Sequence, residues 1–432
     1  MANPQTDGEW VRRDLGSRLT FYHAPTAKFT TCTLRLCLHV PLARETVTAT
    51  ALVPHVLGRG CRGYPDLTAI GQRLEELYGA GLSVGVVKIG EVQSLFLSLD
   101  VVDERLLAGA RDLFSQAVDL LARVCLDPSL DGGNLFPEDV VAQEKENLAN
   151  RIRGLQNDKA RWAAVRCVEE MCPHEPYALH AEGRLEDLAA LGPEGVTARW
   201  RTLLAASAVQ AFAVGGGPEL DELLARALEP LRAGEAQLPI TAPGQAPATP
   251  RVVHEEDDVQ QPRVCMGYRT GITRRDQRHP AMNMYTGILG GFPHSKLFRE
   301  VREKESLAYD AGAEWDGAKG VLLVEVGTAP GAVERVREVV ERQVAELAAG
   351  RITDDELEFT RRALLHRVRA TADSPYGMLN TALGQALADD LCSEAKRMAR
   401  LAAVTRADVT EVAQTVALDT VFVLEAPGGG RR

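Results

Sequence analysis

The chain has 432 residues, 45% of them hydrophobic and 25% charged, and a formal net charge of −11. Length alone leaves room for roughly two to four domains of ordinary core-forming capacity. The acidic balance argues against a nucleic-acid binder and against a protein held by charge on anionic lipid.

No stretch approaches the roughly 18 apolar residues of a membrane span. Met1 to Asp14 is polar and lacks an apolar signal-peptide core. The expectation is a cytoplasmic protein without a membrane partner. Eight cysteines occur without a C-x-x-C pair or regular spacing, so free buried thiols are expected rather than a disulfide framework or a cysteine zinc site.

In chain order, Leu19–Tyr22 and Phe29–His39 read as strands, and Thr46–Leu57 as a helix stopped by Gly58 and Gly60. Leu67–Tyr78 is a second helix with an apolar stripe through Leu67, Ile70, Leu74 and Leu77. Leu82–Ile89 and Val92–Val101 form a hairpin about Gly90. Asp103–Val124, Glu138–Cys172 (broken near Gly154), Pro193–Ala206 and Glu219–Leu231 read as helices, with a strand at Val209–Val214. Residues 232–250 carry four prolines and few large apolar side chains, the composition of an extended linker. Beyond it come strands at Arg251–Val253 and Pro262–Tyr268, helices at His279–Leu289 and Ser295–Lys304, and strands at Tyr309–Glu314 and Val321–Val326. Helices follow at Ala332–Ala349, Thr353–Ala372, Tyr376–Ala388, Ser393–Ala402 and Arg406–Val416, then a last strand at Thr420–Leu424.

This order is a duplication. Leu77-Tyr78-Gly79-Ala80-Gly81 matches Ala308-Tyr309-Asp310-Ala311-Gly312, an offset of 231 residues that also places Gly60 on Gly291. Both copies run helix, glycine, helix, strand, turn, strand, long helix. Strands adjacent in sequence and helices in blocks indicate an α+β fold of two domains, each a mostly antiparallel sheet covered by helices. The expected division is 1–231, a linker at 232–250, and 251–432.

The stretch Gly290–Gly312 stands out. A glycine pair opens it, an amphipathic helix carries Arg302, and a strand begins near Tyr309. On composition alone Arg302 is a solvated helix residue beside Glu300, Glu303 and Lys304, and Tyr309 is core at a strand start.

Three segments shift that balance: G-G-F-P-H-S-K-L-F-R-E-V-R-E-K-E-S-L-A-Y, E-K-E-N-L-A-N-R-I-R-G-L-Q-N-D-K, and E-E-M-C-P-H-E-P-Y-A-L-H. With them the chain resembles the M16 (insulinase, pitrilysin, mitochondrial processing peptidase) metallopeptidase family, M16B type. Within it, the chain resembles the non-catalytic YmfF/YfmF-like partner of a two-protein peptidase. The resemblance covers nearly the whole chain and implies two duplicated LuxS/metallohydrolase-like domains. Active members carry H-x-x-E-H on a first-domain helix, two histidines for zinc and a glutamate for the metal-bound water, with a further glutamate ligand from a later helix. Here the first motif falls on Ala51, Pro54 and His55, and the later ligand position on Arg151. Alanine has no donor, proline no carboxylate, and an arginine brings fixed charge toward a cation site. No zinc or other cofactor is therefore expected on this chain.

The resemblance implies that Arg302 and Tyr309 bind substrate peptide and complete a partner's site. That partner would be an M16 subunit bearing H-x-x-E-H and zinc, and the substrates short or unfolded peptides. An apolar interface is expected, through which an isolated chain could also pair with a second copy. The alternative is an inactive scaffold or peptide-binding protein without a role in hydrolysis. The remaining histidines have blander readings. His174 and His180 lack a third ligand, and His279 and His294 suit capping or loop roles. Gly290-Gly291 is no phosphate loop, Glu255–Asp258 reads as a solvated strand end, and Gly428–Arg432 as a frayed tail.

Overall fold

Two β-sheets carry the fold of the computed structural model, which describes residues 9–107 and 112–427. Residues 1–8, at the start of the polar N-terminal stretch, and the tail Gly428–Arg432 lie outside the described residues. The first sheet is built from β1 (Val11–Asp14), β2 (Leu19–Ala24), β3 (Thr31–Pro41), β4 (Gly81–Ile89), β5 (Val92–Val102) and β6 (Ala208–Val214), ordered β1-β2-β6-β3-β5-β4. The second uses β7 (Arg251–Glu256), β8 (Arg263–Arg269), β9 (Ala308–Asp316), β10 (Val321–Thr328) and β11 (Ala417–Glu425), ordered β7-β11-β8-β10-β9. Without the extra edge strand β1, the two orders are the same. β2 runs parallel to β6, as β7 does to β11, and the remaining pairs are antiparallel. The duplication expected from a few matched residues is thus a duplication of strand topology.

Alternation along each central strand creates the layers, because successive side chains point to opposite faces. On β3, Leu34, Leu36 and Leu38 enter a core shared with Leu52 and Val56 of the helix Val47–Leu57 and with Phe114 and Leu121 of the helix Leu113–Leu126. On β8, Val264, Met266 and Tyr268 do the same against Met284, Ile288, Val340 and Val412.

The opposite face of each sheet is covered by a helix from the other half of the chain. The helix Lys159–Met171 lies on β8 and β11, and the helix Pro375–Leu387 on β6 and β3. In each case an arginine of the central strand holds the visiting segment. Arg35 of β3 donates from Nε to Ser98 Oγ (2.7 Å) and from Nη1 to Asn380 Oδ1 (2.6 Å), and its guanidinium lies over the Phe96 and Tyr376 rings at 5.0 and 5.6 Å. Arg269 of β8 donates to Asp419 (2.9 Å), to the Met171 carbonyl (2.9 Å) and to Glu175 (2.6 Å), while Lys319 reaches Glu175 at 2.6 Å.

The compact units are therefore not contiguous halves. One takes the chain up to Ile152 with Leu179–Ile240 and Asp373–Leu387; the other takes Arg153–Ala178, Thr241–Ala372 and the chain from Ala388. Residues 232–250 hold no helix or strand, but the chain also passes between units after Ile152, Ala178, Ala372 and Leu387.

Several local expectations change. The long helix from Glu138 breaks at Asp158, whose side chain caps the next helix by accepting from the Arg161 N–H, while Gly154 stays helical. The helix expected from Asp103 starts at Leu113. The acidic run Glu255–Asp258 is partly paired: Glu255 takes Arg166 at 2.8 Å and Asp257 takes Lys159 at 2.7 Å. All eight cysteines are buried and free. Among the described residues, no helix is long and apolar enough to cross a membrane.

Candidate functional site

In the second unit the stretch that carries Arg302 and Tyr309 begins where the helix His279–Thr286 widens into a π-helical turn, Gly287–Gly291. Gly290 is required by close approach: a Cβ there would stand 2.6 Å from the Ala313 backbone nitrogen of β9. The next helical segment is also π-type, at Phe298–Lys304, where the sequence suggested a regular helix over Ser295–Lys304. One extra residue per turn rotates the exposed face, and such insertions recur at functional sites. Leu297 and Val301 anchor it, both fully buried. Ser306 ends it in the left-handed region (φ 51°), and the Leu307 N–H bonds back to the Val301 carbonyl at 2.9 Å. Thr328 Oγ1 donates to the Leu307 carbonyl (2.6 Å), fixing the entry into β9.

Arg302 and Tyr309 sit on the two sides of this junction, both exposed. The Arg302 guanidinium lies over the Phe298 ring at 4.7 Å. Two of its acidic neighbours are engaged elsewhere: Glu300 with Lys304, and Glu305 with Arg335 and Arg342. Arg302 has no ion pair among the described residues. Tyr309 is not core, being 68% exposed. Thr328 pairs with Ala308 and Gly327 with Asp310, so Tyr309 is the extra residue of a β-bulge. Bulges re-aim side chains, and β9 is an edge strand of its sheet. Tyr78, the repeat counterpart, is also exposed (55%) but lies in a left-handed turn before β4.

In the first unit the helix Val47–Leu57 carries the other motif positions. Ala51 and Pro54 are buried, Ala51 completely, and Pro54 is an internal helix proline. His55 is partly exposed. Burial, and then the charge of Arg151, pull its pKa from the ordinary histidine range to about 4, so the ring is neutral at pH 7. The structure thus brings His55 and Arg151 together from separate helices. Arg151 Nε lies 3.4 Å from Glu182 Oε1. Glu144, two turns before Arg151, is buried and engaged by Arg59 and by Asn147 Nδ2 (3.1 Å). Sequence reasoning missed Glu182 and Arg59, because nothing local to either residue marks a partner that only folding supplies.

This donor set does not fit zinc. Of the three ligand positions the resemblance implies, Ala51 has no ligating atom, Arg151 is a guanidinium and only His55 keeps a donor; Pro54 has no carboxylate for the water, and the nearby Glu144 and Glu182 face arginines. Among the described residues, no group of three or more His, Cys, Asp or Glu side chains could hold a metal ion. The histidines His174 and His180 flank a structural latch instead: between them Glu175 binds Arg269 and Lys319, and Tyr177 OH donates to Asp316 at 2.8 Å. His294 Nε2 hydrogen-bonds with Thr360 Oγ1 (3.0 Å), and His279 Nδ1 bonds the Asp276 carbonyl (3.1 Å) in the turn that leads into its helix.

The family described as Peptidase M16 inactive domain matches residues 193–364. The chain is 31% identical over 413 residues to the probable inactive metalloprotease YmfF of Bacillus subtilis, covering 95% of this chain and 96% of that one. A conserved protein from Enterococcus faecalis has a similar crystal structure, with a TM-score of 0.88, 26% identity, and coverage of 97% of this chain and 99% of that one. The crystal structure of a peptidase M16 inactive domain from Pseudomonas fluorescens aligns with a TM-score of 0.78 over 97% of this chain and 98% of its own, at 20% identity.

Proposed function

The chain belongs to the M16 peptidase family as an inactive, YmfF-like member, and from that premise we propose that it is the substrate-binding subunit of a two-protein zinc metallopeptidase. A partner M16 subunit contributes H-x-x-E-H and zinc, which together supply the activated water. This chain contributes Arg302 and Tyr309. A guanidinium and a phenol donate hydrogen bonds to a peptide carbonyl, and such bonds strengthen as negative charge grows on that oxygen. β9 is an edge strand, whose open side can take an extended peptide, and the reaction served is peptide-bond hydrolysis in the cytoplasm.

The observation that carries the reading is the contrast between the two duplicated units. Of the three metal-ligand positions the resemblance implies, Ala51 and Arg151 cannot ligate and only His55 keeps a donor, while Pro54 stands at the water-activating position. Arg302 and Tyr309 are exposed, free of ion pairs, and seated on a backbone tied down by the Val301–Leu307 hydrogen bond. A pure scaffold has no use for that arrangement. Exposed Leu67 (50%), Tyr78 (55%) and Phe359 (48%) are available for contact with another chain.

The test is peptidase activity on a short fluorogenic peptide library, with this chain alone and mixed with an M16 subunit carrying H-x-x-E-H. Activity confined to the mixture, lost to a chelator and lowered at least tenfold by Arg302→Ala, supports the split site. Full activity of the mixture with both Arg302→Ala and Tyr309→Phe present returns the chain to the scaffold reading.

A further inference from the structure

We propose that the vacated metal position of the first unit is a carboxylate-binding site, with the Arg151 guanidinium standing where a metal ligand would be and Glu182 as its placeholder. The inference is independent of the partner and of hydrolysis.

The starting observation is an unmet hydrogen-bonding demand. Nε and Nη2 of Arg151 are both shielded from solvent and both lack a hydrogen-bond partner. Buried donors are almost always paired, and an orphan one marks a water, an ion or a ligand. Nε and Nη2 form one edge of the guanidinium, with two parallel N–H bonds at the spacing of a carboxylate's oxygens. An arginine merely filling space would leave scattered unpaired atoms. Here the unpaired atoms make up one complete recognition edge.

The surroundings decide what fits. Glu182 Oε1 is 3.4 Å from Nε, close enough for charge attraction but without hydrogen-bond geometry. The other acid of the region, Glu144, is held by Arg59 and Asn147. Ala51 and Pro54 offer no polar side-chain atom, and His55 stands beside the guanidinium as a neutral ring able to give one N–H. Where the family motif would offer acceptors to a cation, Arg151 and His55 offer donors to an oxygen. Glu182 is partly exposed (26%), as is the Arg151 side chain (34%), so the carboxylate already at the entrance can swing outward and leave the edge to another. The ligand is a carboxylate, carried either by the C-terminus of a peptide or by an acidic side chain.

The experiment titrates the full chain with three probes: acetyl-trialanine with a free carboxylate, its C-terminal amide, and an acetylated Ala-Glu-Ala amide. The readout is the Arg151 Nε–H resonance together with the His55 ring signals. Saturable shifts with the free carboxylate, at least about tenfold weaker with the amide, establish a C-terminal ligand. Saturation with the Ala-Glu-Ala amide establishes an acidic side chain. Arg151→Gln should abolish binding, and Arg151→Lys, which keeps the charge but not the fork, should weaken it about tenfold. Glu182→Gln should tighten binding about fivefold by removing the competing carboxylate. Equal response to the amide and the free carboxylate, no response at all in a chain whose melting is unchanged, or weaker binding in Glu182→Gln overturns the proposal.

Discussion

Arg269 and Glu175 lie 94 residues apart in sequence and meet at 2.6 Å, a strand arginine gripping a loop from the other half of the chain. Arg269 is 4% exposed and also bonds Asp419, itself 5% exposed. This pair is what makes E-E-M-C-P-H-E-P-Y a structural segment. It fastens the Lys159–Met171 helix to the second sheet.

Arg269→Met should therefore be severely destabilising. It leaves Asp419 buried without its partner, a defect worth about 3–5 kcal/mol. Glu175→Gln keeps one hydrogen-bonding oxygen and should cost about 1–2 kcal/mol. Denaturant melts at neutral pH check both, and equal effects of the two changes would contradict the ranking.

Acidification offers a second check on Glu175. Burial raises its pKa, but the hydrogen bonds from Arg269 and Lys319 and their charges outweigh that, and the net shift is downward. A carboxyl with a depressed folded value adds stability above its unfolded pKa of about 4.5 that disappears as pH falls through the folded one. Glu175→Gln should remove that part of the acid-limb slope.

His55 acts with the opposite chemistry in a higher window. Unfolded it titrates near 6.5, and folded near 4. Between these values the unfolded chain binds a proton that the folded chain refuses, so stability falls as pH drops from about 6.5 toward about 4. His55→Gln should flatten part of this slope, leaving the share of His39, whose ring burial also holds near 4. Arg151→Gln should raise the His55 value. A His55 ring titrating near 6.5 by NMR in the native chain would refute its burial, and a His55 value unchanged in Arg151→Gln would refute the placement of Arg151 beside it.

Gly290→Ala should destabilise by about 1–3 kcal/mol despite alanine's better helix propensity. The added Cβ meets backbone atoms of Gly312 and Ala313, which cannot turn aside as a flexible side chain could. Peptide binding at Arg302 and Tyr309 should weaken with it, because the turn sets the position of β9. Unchanged melting would show that β9 shifts freely.

Arg302→Ala and Tyr309→Phe should each move stability by less than about 0.5 kcal/mol, the ordinary range for exposed positions. Loss of peptide binding at constant melting temperature separates a binding role from a packing one.

Much of the element order was legible because it rests on local periodicity. The hairpin about Gly90, the helix Pro193–Ala206 and the strand near Val209 followed from apolar spacing and turn residues. The π-type turn at Phe298–Lys304 was not legible, since one inserted residue per turn leaves the apolar pattern close to that of a regular helix. Nor was the Tyr309 bulge, which exists only relative to Thr328 on the neighbouring strand.

By itself the sequence determined the duplication and the α+β class, which rest on residue types at fixed spacing, and through its resemblance to the M16 family it implied a lost metal ligand at Ala51 and a lost general base at Pro54. Only the tertiary structure decided which helix covers which sheet. It also decided that Arg302 and Tyr309 stay exposed, and that Arg151 comes to His55 with one edge of its guanidinium unpaired. Those outcomes depend on contacts across long sequence separations, where burial and charge pairing select a partner that no local pattern names.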